Sequence, residues 1–238
     1  MVKQGTLGLI GGTSVLAAAP LRHALRHDVE TPYGTVALLA QNGLWFLQRH
    51  GLDGYTPPHR INHLAHLLAL QQVGVQRILA IGSVGSLRLD IPPGTLVLPD
   101  DFYAPQVNPT YFADQRGHRP PGFHRAWRST LLQAWQKSGL PLPHDGGTYW
   151  QTTGPRFESP AEIRMMAAHA HLVGMTVAAE TILAGELEIP YAALCMVDNF
   201  ANGLQETELS YASFKAQVHA NEERLLLILQ RVLEELQG

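Results

Sequence analysis

Short apolar runs recur along the chain, each closed by a glycine or a polar turn: Leu7–Ile10, Val36–Leu39, Leu44–Leu47, Ile78–Ile81, Leu96–Leu98 and Tyr191–Val197. They are rich in leucine and β-branched residues and lack strict alternation, which is the pattern of strands covered by helices on both faces. Between them the period lengthens. His59–Val73 carries Ile61, Leu64, Leu67, Leu68 and Leu70, and Ala126–Ser138 carries Trp127, Leu131, Leu132 and Trp135, with Gly139 as a stop signal. Thr176–Leu187 reads as a further helix, and Ser210–Leu236 as a long amphipathic one. Ala104–Phe123, with four prolines, reads as a long functional loop. No linker, repeat or low-complexity tract interrupts the series. The pattern predicts one α/β domain over residues 1–238, with a mixed, mostly parallel central sheet flanked by helices.

Composition narrows the classes. The chain has 238 residues, 45% of them hydrophobic, enough to bury one substantial core. Its 17 basic and 20 acidic side chains offer no dense basic face for a phosphate backbone, which argues against nucleic acid but leaves a nucleoside open. The single cysteine, Cys195, cannot form an internal disulfide and reads as a small buried hydrophobe in a strand. No apolar run approaches the ~20 residues that cross a bilayer, and the N-terminus lacks a secretory pattern. A reducing, cytoplasmic location is the expectation.

Candidate chemistry follows the strands. Gly11-Gly12-Thr13-Ser14 follows the first, where glycines admit an anion and hydroxyls can bond it; a plain tight turn is the alternative. Arg49-His50-Gly51 follows the Leu44–Leu47 run, and its guanidinium suits an anion as well as it suits a surface pair. Gly82-Ser83-Val84-Gly85-Ser86 reads as a small-residue turn beyond Ile81. Such segments converge on one edge of a parallel sheet, where α/β proteins bind ligands. Thr153-Gly-Pro-Arg-Phe-Glu158 places a ring and a carboxylate side by side, able to lie against a flat base and accept from its N–H. Gly174-Met-Thr176 leads into an alanine-rich helix containing Glu180, and Asp198-Asn199-Phe200-Ala201 follows the last strand.

Together these segments resemble the trimeric purine nucleoside phosphorylases, especially their methylthioadenosine phosphorylase branch. Gly-Gly-Thr near the start, Thr-Pro-Tyr-Gly at 31–34, Arg-His-Gly at 49–51, Gly-Ser-Leu at 85–87, Gly-Pro-Arg-Phe at 154–157 and Gly-Met-Thr at 174–176 stand in family order. The resemblance implies that Thr13, Arg49, His50, Gly82, Ser83 and Thr176 hold phosphate. It implies that Met175 meets the ribose, Phe157 stacks near the base and Asn199 faces the purine N7 edge, with Asn199 and His50 as catalytic groups. His118, in the long loop, would reach the sugar site of a neighbouring subunit in a homotrimer. Inorganic phosphate would be a co-substrate, with no metal or organic cofactor.

Two departures carry information. Where the adenine-specific branch has an aspartate this chain has Asn199, and where it has a second aspartate this chain has Ala201; after Gly-Pro-Arg-Phe it has Glu158 in place of a small hydroxyl residue. Hypoxanthine offers an N1–H donor and an O6 acceptor, whereas adenine offers an N1 acceptor and an amino donor. A carboxylate at 158 and an amide at 199 suit the first. Leu209 falls near the position that lines a 5′-methylthio pocket, and His219, the nearest histidine for a 5′-hydroxyl, lies further along the last helix. A 6-oxopurine with an apolar 5′ group describes 5′-methylthioinosine. Methylthioadenosine or general inosine and guanosine phosphorolysis are the alternatives, and a nucleosidase or a non-catalytic nucleoside-binding module are the rivals. His59, His63 and His66 share a helical face at i, i+4, i+7, which reads as solvated or substrate-facing in preference to metal-binding.

Overall fold

The structure is a computed structural model that describes residues 6–12, 23–206 and 210–237. Thr13 and Leu209 lie outside the described residues. In chain order the strands are β1 (Leu7–Gly11), β2 (Leu25–Thr31), β3 (Gly34–Gln41), β4 (Leu44–Gln48), β5 (Arg77–Ser86), β6 (Leu96–Leu98), β7 (Asp101–Tyr103), β8 (His144–Asp145), β9 (Thr148–Gln151), β10 (Leu172–Gly174) and β11 (Tyr191–Phe200). The helices are α1 (His63–Gln72), α2 (Arg125–Ser138), α3 (Pro160–Ala167), α4 (Val177–Glu186) and α5 (Tyr211–Gln237).

β5 is the axis of the sheet. It pairs in parallel with β1 along Arg77–Ala80, then antiparallel with β10 at Gly85 and Ser86, and in parallel with β11 on its other side throughout. The main path runs β2-β3-β4-β1-β5-β10-β9-β7, and β11, β6 and β8 branch from it. Parallel and antiparallel pairs are mixed, as the sequence predicts.

The missing alternation in the strands has a direct cause. Ile10, Ile78, Ala80, Ala193 and Cys195 pack on one face against Leu67 and Leu70 of α1 and Val177 and Leu183 of α4. Their neighbours Leu9, Leu79, Ile81, Leu194 and Met196 pack on the other face against Trp127 and Leu131 of α2 and Leu225 and Leu229 of α5. Burial on both faces requires apolar residues at consecutive positions, and each large side chain so buried contributes about 1.5–3 kcal/mol.

Three elements depart from the sequence pattern. Gly82–Ser86 is strand, not turn: β10 and β11 supply ladder partners on both edges, so the small residues stay extended. The helix predicted from His59 starts at His63, because Pro57 and Pro58 hold a separate 3₁₀ turn over Pro58–Arg60 and the Asn62 side chain caps α1 by accepting from Ala65 N at 3.1 Å. β11 continues to Phe200 with a register shift between Val197 and Asn199, so that Asp198 is the extra residue of a bulge.

β10 presses closely on its neighbour. A Cβ on Gly174 would stand 2.4 Å from the Tyr149 hydroxyl oxygen and 2.9 Å from its ring. Tyr149 is fully buried and accepts from the backbone N–H groups of Thr176 and Val177, so it cannot swing away without breaking both bonds. Gly174→Ala is therefore expected to lose about 1–3 kcal/mol of stability by overpacking. Urea denaturation measures this, and wild-type stability in the variant would contradict the contact.

Candidate active site

The carboxyl ends of β4, β10 and β11 and the far half of β5 open onto one cavity, at the place where the strand order branches. Nine residues singled out from sequence line it: Arg49, His50, Ser83, Phe157, Glu158, Met175, Thr176, Asn199 and Ala201. Gly82 lies beneath it, where a Cβ would come within 3.2 Å of Cys195 Sγ and 3.3 Å of Val177. His118 lines a separate pocket between the long loop and α4, with Ile182 and Glu186.

At one end of the cavity Arg49 is buried to 2% exposure. Its Nε donates to Glu180 Oε1 at 2.5 Å, its Nη2 to Oε2 at 3.0 Å and its Nη1 to the Ile81 carbonyl at 2.9 Å. Among the described residues, two of its five N–H groups have no partner and are available to a ligand. Tyr191 donates to Glu180 Oε2 at 2.6 Å. Burial alone would favour the neutral form of each partner, but their mutual charge and hydrogen bonds outweigh it: the guanidinium is raised above its ordinary value and the Glu180 carboxyl is lowered. The sequence marks Glu180 only as part of the helix after Thr176 and Tyr191 only as the start of a strand, and gives neither a role in the site. An acid set among apolar residues in an alanine-rich helix, where charge is costly without a buried partner, is the available signal.

His50 sits beside this pair with its ring stacked on Tyr55 at 5.4 Å. Its Nδ1 lies 2.8 Å from the Thr56 carbonyl, which can only accept, so Nδ1 carries the proton. Burial, reinforced by the Arg49 charge, lowers its pKa against the opposing bond to Thr56. The neutral imidazole then presents Nε2 as an acceptor. Thr176 stands at the N-terminus of α4 and makes no side-chain cap bond, and among the described residues its hydroxyl has no partner and is available to the cavity. The first N–H groups of α4 are instead met by the Gln151 side-chain oxygen, which accepts from Ala178 at 2.7 Å and Ala179 at 3.1 Å. The helix therefore contributes its positive end as a field behind Thr176.

Ser83 donates its single hydroxyl proton to Asp198 Oδ2, and Asn221 of α5 donates to Asp198 Oδ1 at 2.8 Å. The Ser83 side chain thus turns lone pairs, not a proton, to the cavity. The bulge at Asp198 makes this possible, since it turns Asp198 toward Ser83 and α5 while Asn199 lines the cavity. Burial raises the Asp198 pKa against the two bonds it accepts.

The opposite end holds Glu158 and Asn199. Glu158 is 7% exposed and accepts from the Thr152 hydroxyl at 2.7 Å through Oε1. Asn202 Nδ2 donates to the Glu158 carbonyl at 2.9 Å. Asn199 Nδ2 donates to the Phe200 carbonyl at 2.8 Å, which keeps its Oδ1 free as an acceptor. Arg156 turns outward onto Glu162, the residue that closes a capping box with Ser159 at the start of α3.

Residues 6–234 match the family described as Phosphorylase superfamily. The chain belongs to that superfamily. Its relatives include a probable 6-oxopurine nucleoside phosphorylase of Archaeoglobus fulgidus, 36% identical over 96% of both chains. A probable S-methyl-5′-thioinosine phosphorylase of Methanopyrus kandleri is 40% identical over 84% of this chain and 80% of the relative. The fold matches methylthioadenosine phosphorylase from Schistosoma mansoni with a TM-score of 0.85, at 22% identity over 97% of this chain and 91% of that one.

This phosphorylase chain places two further imidazoles against the buried ion pair. His59 lies exposed in the 3₁₀ turn, whereas His63 and His66 face inward on α1 with ring centroids 6.4 Å apart, His63 Nδ1 being 3.8 Å from Glu180 Oε1. Burial lowers both to about 4 from an ordinary 6.5. Between those values the unfolded chain binds protons that the folded chain refuses, so stability falls as pH drops through that window. The slope is up to about 1.4 kcal/mol per pH unit for each imidazole. Melting temperature is expected to decline from pH 7 toward pH 5, and less steeply in a His63→Asn, His66→Asn double variant. Equal slopes in the two proteins would contradict the assignment.

Proposed function

We propose that this chain is a purine nucleoside phosphorylase acting on 6-oxopurine nucleosides, with 5′-methylthioinosine as the preferred substrate. The observation that carries the reading is a single cavity with anion-binding groups at one end, Arg49, His50 and Thr176, and the base-reading pair Glu158 and Asn199 at the other. The names of the relatives, 6-oxopurine nucleoside phosphorylase and S-methyl-5′-thioinosine phosphorylase, support it.

In the proposed reaction phosphate attacks the anomeric carbon, forming a C–O bond as the bond to the purine N9 breaks. The two free N–H groups of Arg49, the Thr176 hydroxyl and, for a phosphate that carries a proton, His50 Nε2 would position the nucleophile. Thr13 belongs to the same proposed set. Glu158 would accept from the N1–H. Asn199 would stabilise the leaving base by donating to O6 and accepting from N7–H, with water supplying the N7 proton. Met175 and Phe157 would cover the sugar and the base. No metal or organic cofactor enters the scheme.

The apolar 5′ end was assigned to Leu209 on the sequence. Among the described residues, Tyr211 and Phe214 of α5 line the cavity beside Phe157, with the two phenylalanine rings 5.7 Å apart. That aromatic corner suits a methylthio group. A homotrimer in which His118 completes a neighbour's sugar site, a cytoplasmic location and a role in purine salvage belong to the same proposal. No described helix is long and apolar enough to cross a membrane.

Base release is expected to require phosphate and to yield the sugar 1-phosphate. Arg49→Ala should raise the phosphate KM by about 10- to 100-fold, matching the ~1.5–3 kcal/mol of charged hydrogen bonds, and should also lower stability because it leaves Glu180 buried without its cation. Undiminished base release in phosphate-free buffer would identify a nucleosidase instead.

A panel crossing hypoxanthine and adenine with 5′-hydroxyl and 5′-methylthio sugars tests the substrate. Methylthioinosine is expected to exceed inosine about 10-fold in kcat/KM, the worth of burying a methylthio group. It should exceed methylthioadenosine by ~10²-fold or more, because two mispaired buried groups each cost about 1–3 kcal/mol. Asn199→Asp should shift preference toward adenine. Wild-type preference for methylthioadenosine would remove Glu158 and Asn199 from the base edge.

A further inference from the structure

We propose that Thr152 is a positioning residue that sets the base selectivity of Glu158, an inference that rests on the 6-oxopurine reading above. An ionised carboxylate only accepts hydrogen bonds, and a threonine hydroxyl has one proton to give. Thr152, the first residue beyond β9, gives that proton to Glu158 Oε1 at 2.7 Å. Glu158 Oε2 has no hydrogen-bond partner among the described residues, and Glu158 lines the cavity. One carboxylate oxygen is therefore consumed by the protein and the other is left for the ligand.

The backbone around Glu158 is held independently. Asn202, in the turn after β11, binds the Glu158 carbonyl at 2.9 Å, and Ser159 begins the capping box of α3. What remains free is rotation of the carboxylate, and the Thr152 hydroxyl constrains it. With Oε1 held by Thr152, Oε2 stays turned to the cavity as an acceptor, which receives a purine N1–H and opposes a bare N1 lone pair. Without that donor the carboxylate is free to turn from the base, which removes the acceptor that an N1–H needs and relieves the opposition to a bare N1. Thr152 thus acts on selectivity through Glu158 without touching the base.

Thr152→Val keeps the shape and removes the proton, and Thr152→Ser restores it. For Thr152→Val, kcat/KM on methylthioinosine is expected to fall about 10- to 100-fold, as for loss of a charged hydrogen bond. The ratio of methylthioinosine to methylthioadenosine activity should fall at least 10-fold, while the phosphate KM stays within about 2-fold. Thr152→Ser should return the ratio to near its wild-type value. Calorimetric binding of hypoxanthine and adenine gives the same ratio independently of turnover, and Thr152→Ala provides a smaller variant if the valine disturbs folding. A ratio unchanged in Thr152→Val and Thr152→Ala, or an equal loss on both bases, overturns the proposal and leaves the 6-oxopurine reading intact. A wild-type enzyme with no preference between the bases overturns both.

Discussion

The buried pair of Arg49 and Glu180 is the constraint around which the rest is arranged. It ties the end of β4 to α4, while Ile81 brings in β5 and Tyr191 brings in β11. Four elements far apart in sequence meet at one pair of charges. Removing such ions from water costs several kcal/mol each, and only the two-point geometry with the added bonds from Ile81 and Tyr191 offsets it. The fold and the anion end of the cavity are in this sense one structure, since neither charge can be buried there without the other.

Much of this was legible along the chain. The buried strands β1, β4, β5 and β11 announce themselves because both faces are covered, and α2 because Trp127 and Trp135 repeat on one face above Gly139. β2 is an exposed, polar hairpin strand, and β7 to β10 carry no more than two apolar side chains in a row, so hydrophobic periodicity does not mark them. Strand length is misread where neighbours decide it: Gly82–Ser86 looks like a turn until β10 and β11 pair with it. Local motifs brought most of the cavity-lining residues into view. Glu180 gains no role from the sequence because its partner lies 131 residues away, and Thr152 none because nothing in a threonine six residues before a glutamate declares a bond between them.

The two ends of the cavity are supported differently. At the base end, Glu158 is held by short-range contacts from Thr152 and Asn202, a local arrangement that substitution can retune. At the other end the supports are deep: Gln151 and Tyr149 satisfy the start of α4, and Asp198 connects Ser83 to α5 through Asn221. Specificity therefore resides in parts that can change at modest cost, and anion handling in parts that cannot.

Because Glu180 cancels the charge of Arg49 from within, the cavity exerts little pull on an anion at a distance. The chain as a whole carries a formal charge of −3, so no broad positive field compensates. An oxyanion bound there as proposed would be recognised on contact, by directional N–H and O–H groups. Its capture rate should then respond weakly to ionic strength, unlike that of sites that steer ligands across a Debye length. Such a pocket reads the tetrahedral shape of its anion more than the charge.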